Sequence, residues 1–111
     1  MLETNRGKLV VYTSSLASYQ GRLKPVSAAA EKAAKALNLD LEIITLEGKA
    51  VPICIYYKDG DGEPIPIYCD KNQRPTVKKV CSALKSMMFV LSFHPKYSAL
   101  RKIRKEIMQF S

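Results

Sequence analysis

A single-domain α/β fold is predicted from three features of this 111-residue sequence. An apolar run, an alanine-rich segment and an alternating segment follow one another between Gly7 and Ile44. Short extended stretches separated by turn residues come next, from Leu41 to Cys69. Last, Val77, Val80, Cys81, Leu84, Met87, Met88 and Leu91 fall at i, i+3, i+4, i+7 spacing, the period of one helix face. The order is βαβββαα, a mixed four-stranded sheet covered by helices, with α+β as the alternative class. At this length one core is expected.

The first strand is the apolar run Leu9, Val10, Val11 and Tyr12, ended by Thr13, Ser14 and Ser15. Residues 1–6 are polar and read as a frayed arm. The helix is predicted over Arg22–Leu37, which holds six alanines, the strongest helix former. Pro25 suits a first turn, so the regular helix is expected to start near Lys24. Asn38 stands where a left-handed C-terminal cap belongs. Strand and helix are then joined by a loop, Thr13–Gly21, rich in hydroxyls. Ser15, Ser18, Tyr19, Gln20 and Arg22 are its candidate ligand contacts, beside a helix N-terminus that favours anions. The competing reading is that its serines and threonine only cap the helix.

The second strand runs from Leu41 to Leu46, and the third from Ile53 to Lys58. Asp59-Gly60-Asp61-Gly62 after it is a hairpin signal. The fourth strand, Glu63–Cys69, contains Pro64 and Pro66, which cannot donate to a ladder and so place it at a sheet edge. Pairing Lys58 with Glu63 sets Cys54 opposite Ile67 and Cys69 one diagonal away, too far for an easy disulfide. Cys54, Cys69 and Cys81 are accordingly read as small buried apolar groups. With no C-x-x-C pair and one histidine, His94, no metal site or cofactor is expected.

Pro75-Thr76 opens the apolar-striped helix. Its far end, with Phe89, Val90 and Phe93, is apolar on more than one side and is either deeply buried or an interface. His94-Pro95 ends it. A last amphipathic, basic helix over Pro95–Met108 carries Tyr97, Leu100, Ile103 and Ile107 on one stripe.

The net charge is +8. Residues 1–70 hold eight Lys or Arg against nine Asp or Glu, whereas residues 71–111 hold ten against one, Glu106. Such an asymmetry points to an anionic partner, nucleic acid being the commonest. The candidate contacts are Lys71, Arg74, Lys78, Lys79, Lys85, Arg101, Lys102, Arg104 and Lys105. Solubility alone is the competing explanation. A homodimer through the apolar helix end is the other partner expected. No apolar run approaches the roughly 18 residues of a membrane span, and the first residues lack a signal-peptide core. A cytoplasmic location is expected.

From Val11 to Lys35 the chain resembles the thioredoxin and glutaredoxin families. The resemblance lies in a strand L-V-V-Y-T-S leading to a helix that contains R-L-K-P. Ala17-Ser18-Tyr19-Gln20 stands where those families carry their C-x-x-C redox pair. Val51-Pro52 resembles their cis-proline before the third strand, so Pro52 joins the candidate ligand residues. The resemblance implies a thioredoxin-like fold, redox-inactive at the usual position because both thiols are replaced. The family's second helix has no counterpart. Only Glu47–Ala50 separate the second strand from Val51, and a parallel crossover needs a dozen or more residues. Four residues make a hairpin, which predicts strand order 1-2-3-4.

The functional expectation is a non-enzymatic binding module, with nucleic-acid binding by the basic C-terminal half as the alternative. No nucleophile–base pair stands out. Glu47-Gly48-Lys49 has the E-x-K form of a metal-dependent nuclease family, with Asp40 or Glu42 as the further acid, but reads first as a turn.

Overall fold

A computed structural model describes residues 7–15, 17–48, 52–59, 62–70 and 76–110. The expected N-terminal arm, Lys71, Arg74 and Lys49 lie outside them. Four strands and four helices follow in the order β1 (Gly7–Ser14), α1 (Ala17–Leu37), β2 (Asp40–Leu46), β3 (Cys54–Asp59), β4 (Ile65–Cys69), α2 (Val77–Leu91), α3 (Ser98–Lys102) and α4 (Arg104–Gln109). The α/β class and the mixed four-stranded sheet are as the sequence predicts.

Strand order is β2-β1-β3-β4. β1 pairs in parallel with β2, and antiparallel with β3, which pairs antiparallel with β4. The expected β2–β3 hairpin is therefore overturned. Its premise was that the connection must run the length of the sheet, as between parallel strands. β3 runs the other way, so its start lies at the same end as the end of β2: Leu46 is level with Ser14, and Cys54 with Tyr12. The chain has only to pass the end of β1, about 10 Å or two strand spacings. Residues 47–53 reach roughly 23 Å when extended, so no second helix is needed.

α1 starts at Ala17, well before Arg22, and the long hydroxyl loop does not exist. Thr13 and Ser14 are buried at the end of β1. Pro25 lies inside the helix. Its missing N–H and its ring bear on the carbonyl four residues back. That carbonyl belongs to Gly21, which is exposed and has open space where a Cβ would stand. The helix nonetheless runs through the proline, at the cost of the hydrogen bond Pro25 cannot donate. It closes as expected on Asn38 at φ 56°, with Leu39 N–H donating to Ala34 O (2.8 Å), a Schellman closure.

The core lies between the sheet and a layer formed by α1 and α2. Leu9 and Val11 of β1 and Ile55 and Tyr57 of β3 pack with Val26, Ala29, Ala30 and Ala33 of α1 and Val80, Leu84 and Met88 of α2. Small alanines let α1 lie close to the strands. The α2 stripe is buried from Val80 onward, while Val77 in its first turn is exposed. Thr76 caps that turn by accepting from Lys79 N–H (3.1 Å).

The last helix is shorter than expected and divided. Pro95–Tyr97 form turns, and Ile103 (φ −112°, ψ 21°) leaves the helical region between α3 and α4. The stripe still works, because Tyr97, Leu100 and Ile107 are buried, and Phe110 joins them. α3 is held to the sheet by Asp59: its Oδ1 accepts from Tyr57 O–H (2.6 Å) and from Ala99 N–H (3.2 Å).

Candidate functional site

Alternate residues of β1 and β3 point away from the helices. Tyr12 and Tyr56 meet edge to face there, with ring centroids 5.2 Å apart. Among the described residues no helix covers this face. Cys54 and Cys69 lie directly opposite on β3 and β4, Cα atoms 4.1 Å apart, joined as a disulfide. This overturns the expected register. Tyr57 already pairs with Ile65, one residue beyond the expected Pro64, and a bulge after Ile55 gives β4 a second extra residue, so pairing shifts from Tyr56↔Pro66 to Ile55↔Tyr68 and brings Cys69 level with Cys54. The two cysteines are thus not separate apolar groups, and Cys81 alone is a free, buried thiol. Burial pushes the Cys81 thiol up, against a smaller downward pull from Lys32. β4 is the edge strand its prolines predict.

A cleft of about 350 Å³ opens on this uncovered face between Tyr12, Leu46, Pro52, Cys54 and Tyr56. Pro52 therefore lines a cleft. Ser15 does not: its Oγ accepts from Gly48 N–H (3.0 Å) and holds the turn after β2. Gly48 adopts φ 69°, which suits glycine, and Glu47-Gly48 is a turn. Ser18, Tyr19, Gln20 and Arg22 have their backbones in the first turns of α1, and their side chains lie outside the described set.

The basic residues occupy the other layer. Among the described residues, Arg22, Lys24, Lys32 and Lys35 on α1, Lys78, Lys79 and Lys85 on α2, Lys96 after it, and Arg101, Lys102, Arg104 and Lys105 on α3 and α4 make twelve, against two acids, Glu31 and Glu106. The described residues of the strands and their turns carry the reverse balance: Lys8 and Lys58 against Asp40, Glu42, Glu47, Asp59, Glu63 and Asp70. Charge is divided by layer, and the three α1 lysines join residues distant in sequence. Position along the chain alone hid this, since residues 1–70 are balanced overall.

Within the basic layer, Lys78, Lys79, Arg101, Lys102 and Lys105 are exposed and Lys85 is half-buried. Arg104 is engaged internally. Its Nε donates to Ser92 Oγ (3.0 Å), its Nη2 donates to Ser92 O (2.8 Å), and the guanidinium lies 3.9 Å from the Phe93 ring centroid. It closes the C-terminal end of α2, where a cation also complements the helix dipole. The deep-burial option for that end is met on one side only. Met88 and Leu91 are buried, while Val90 and Phe93 are 63% and 59% exposed. His94 is exposed, its Nδ1 accepting from Lys96 N–H (3.1 Å) in a local turn.

No group of acidic, histidine or cysteine residues able to hold a metal occurs among the described residues. None of their helices is long and apolar enough to cross a membrane. No protein-family model matches the chain, and no curated protein or solved structure matches it either. Function has to be argued from the two faces themselves.

Proposed function

We propose that this chain is a non-enzymatic binding module of thioredoxin-like order whose helical layer binds nucleic acid. The observation that carries the proposal is the division of charge by layer among the described residues, with twelve bases against two acids on the helices and the turn after α2. A scattered surface charge would serve solubility equally well. A layer of one sign backed by a layer of the other instead orients the molecule in the field of a polyanion. The supporting contacts are Lys78, Lys79, Lys85, Arg101, Lys102 and Lys105, with Lys24, Lys32 and Lys35 added from α1. Arg104 is left out because its hydrogen bonds are spent on Ser92.

Thioredoxin-like order is supported by the strand arrangement: β3 lies beside β1, and the hairpin that excludes such an order is absent. Ala17 begins α1 where the family carries a thiol. The disulfide of this chain lies elsewhere, on β3 and β4.

Phosphate contacts give little sequence preference and a steep salt dependence. Fluorescence anisotropy with single-stranded and duplex oligonucleotides over a salt series tests the reading. A linear fall of log K with log salt is expected. Lys78→Gln, Lys79→Gln and Lys105→Gln should each flatten the slope by about 0.7–0.9. No binding at low salt, or a slope indifferent to all three changes, overturns the proposal.

A further inference from the structure

We propose that the groove between α1 and α2 is a binding site for a small anionic amphiphile, an alkyl chain ending in a carboxylate. The groove encloses about 530 Å³, within the roughly 300–1,000 Å³ of small-molecule sites. Val77, Cys81 and Phe110 give it apolar walls, and Lys32, Lys78 and Lys85 stand around it with Ser82.

Three observations select this occupant. The lysines come from both helices, Lys32 from α1 and Lys78 and Lys85 two turns apart on α2, and no acid lines the groove among the described residues. Among the described residues none of the three is in an ion pair, the one pair being Lys8–Glu42 on the sheet. Like charges around one apolar groove repel, and an anionic head placed among them is favoured. Away from Ser82 and the lysine heads the lining is apolar: Cys81 and Phe110, 3% and 4% exposed, lie beside the exposed Val77. A nucleobase would have to leave its polar edge atoms unpaired against Val77, Cys81 and Phe110, which is unfavourable. A hydrocarbon chain has no such atoms. The site does not rest on the nucleic-acid reading, although Lys78 and Lys85 serve both.

Titration calorimetry with sodium n-alkyl carboxylates from hexanoate to dodecanoate, below their micelle concentrations, tests the assignment, with the matching n-alkanols as uncharged controls. Affinity should rise about fourfold for each added CH₂ until the groove is filled. The alkanols should bind about tenfold more weakly or worse, having no head group for the lysines. Lys32→Gln and Lys85→Gln should weaken the carboxylates and leave the alkanols unchanged. Ser82 is exposed, so Ser82→Trp can fill the groove without disturbing the core. That variant should lose dodecanoate yet keep the salt-dependent binding of nucleic acid, since no charge changes. Affinity independent of chain length, alkanols binding as well as carboxylates, or dodecanoate binding unaltered in Ser82→Trp each overturns the site. The wild-type oligonucleotide titration separately decides the nucleic-acid reading.

Discussion

Reducing the Cys54–Cys69 disulfide should cost the fold about 3 kcal/mol. The two residues are 15 apart in sequence, and closing a loop of that length removes about that much chain entropy from the unfolded state at 25 °C. Against a total stability of about 5–15 kcal/mol for a domain of ordinary stability, this is a large share. Urea unfolding followed by circular dichroism, with and without dithiothreitol, measures it directly. With a slope of about 1–3 kcal/mol/M the midpoint should fall by about 1–3 M. The slope should also steepen, since the reduced unfolded chain exposes more surface. A thiol count in denaturant without reductant should find Cys81 alone reactive. A shift below about 1 kcal/mol would show that the crosslink contributes little, and three reactive thiols in protein purified without reductant would show that it is absent.

Two further outcomes are expected. Thr13 is 1% exposed, and its Oγ1 has no hydrogen-bond partner among the described residues. Thr13→Val keeps the shape and removes an unsatisfied hydroxyl that costs about 1–3 kcal/mol, so thermal melting should show a rise of a few degrees, and a fall would mean that the hydroxyl is bonded. Tyr57 is fully buried, and burial first and then its hydrogen bond to Asp59 push its phenol far above its ordinary value near 10. The unfolded phenol then ionises first, so this contribution to stability is intact below about pH 10 and lost as pH rises above it. Denaturant midpoints should decline through that range, and Tyr57→Phe should decline less; an equal decline would count against Tyr57 as the source.

The elements were legible wherever a local rule decided them. Asn38 follows from the preference of its position for a left-handed cap, and the α2 stripe from its spacing. The prolines of β4 could sit only at an edge. What failed was long-range or depended on a single extra residue. Pro25 reads as a first-turn proline, yet the helix begins eight residues before it, at Ala17. A one-residue offset at Tyr57 and the bulge between Ile55 and Tyr56 leave no mark in an alternating pattern, yet together they decide whether Cys69 meets Cys54 or misses it. The path after β2 failed for a different reason. Its length was judged against a parallel partner, and seven residues are ample once β3 is antiparallel.

The candidate surface was half legible for the same reason. The surplus of bases after residue 70 is plain in the sequence and led to α2, α3 and α4. The lysines of α1 are cancelled in any count along the chain by the acids of β2, β3 and their turns, which are close in sequence. A strand and the helix beside it in the chain belong to opposite layers of this fold, so such a count averages over the very boundary that separates the charges. Once α1 is laid against α2, Lys32 faces Lys78 and Lys85 across a groove with no acid among its lining residues. Arg104 shows the converse. It belongs to the basic run in sequence, but the turn at Ile103 brings it to Ser92, where it closes a helix instead of facing a ligand. Position in a layer, set by the strand order, is therefore what divides structural cations from available ones.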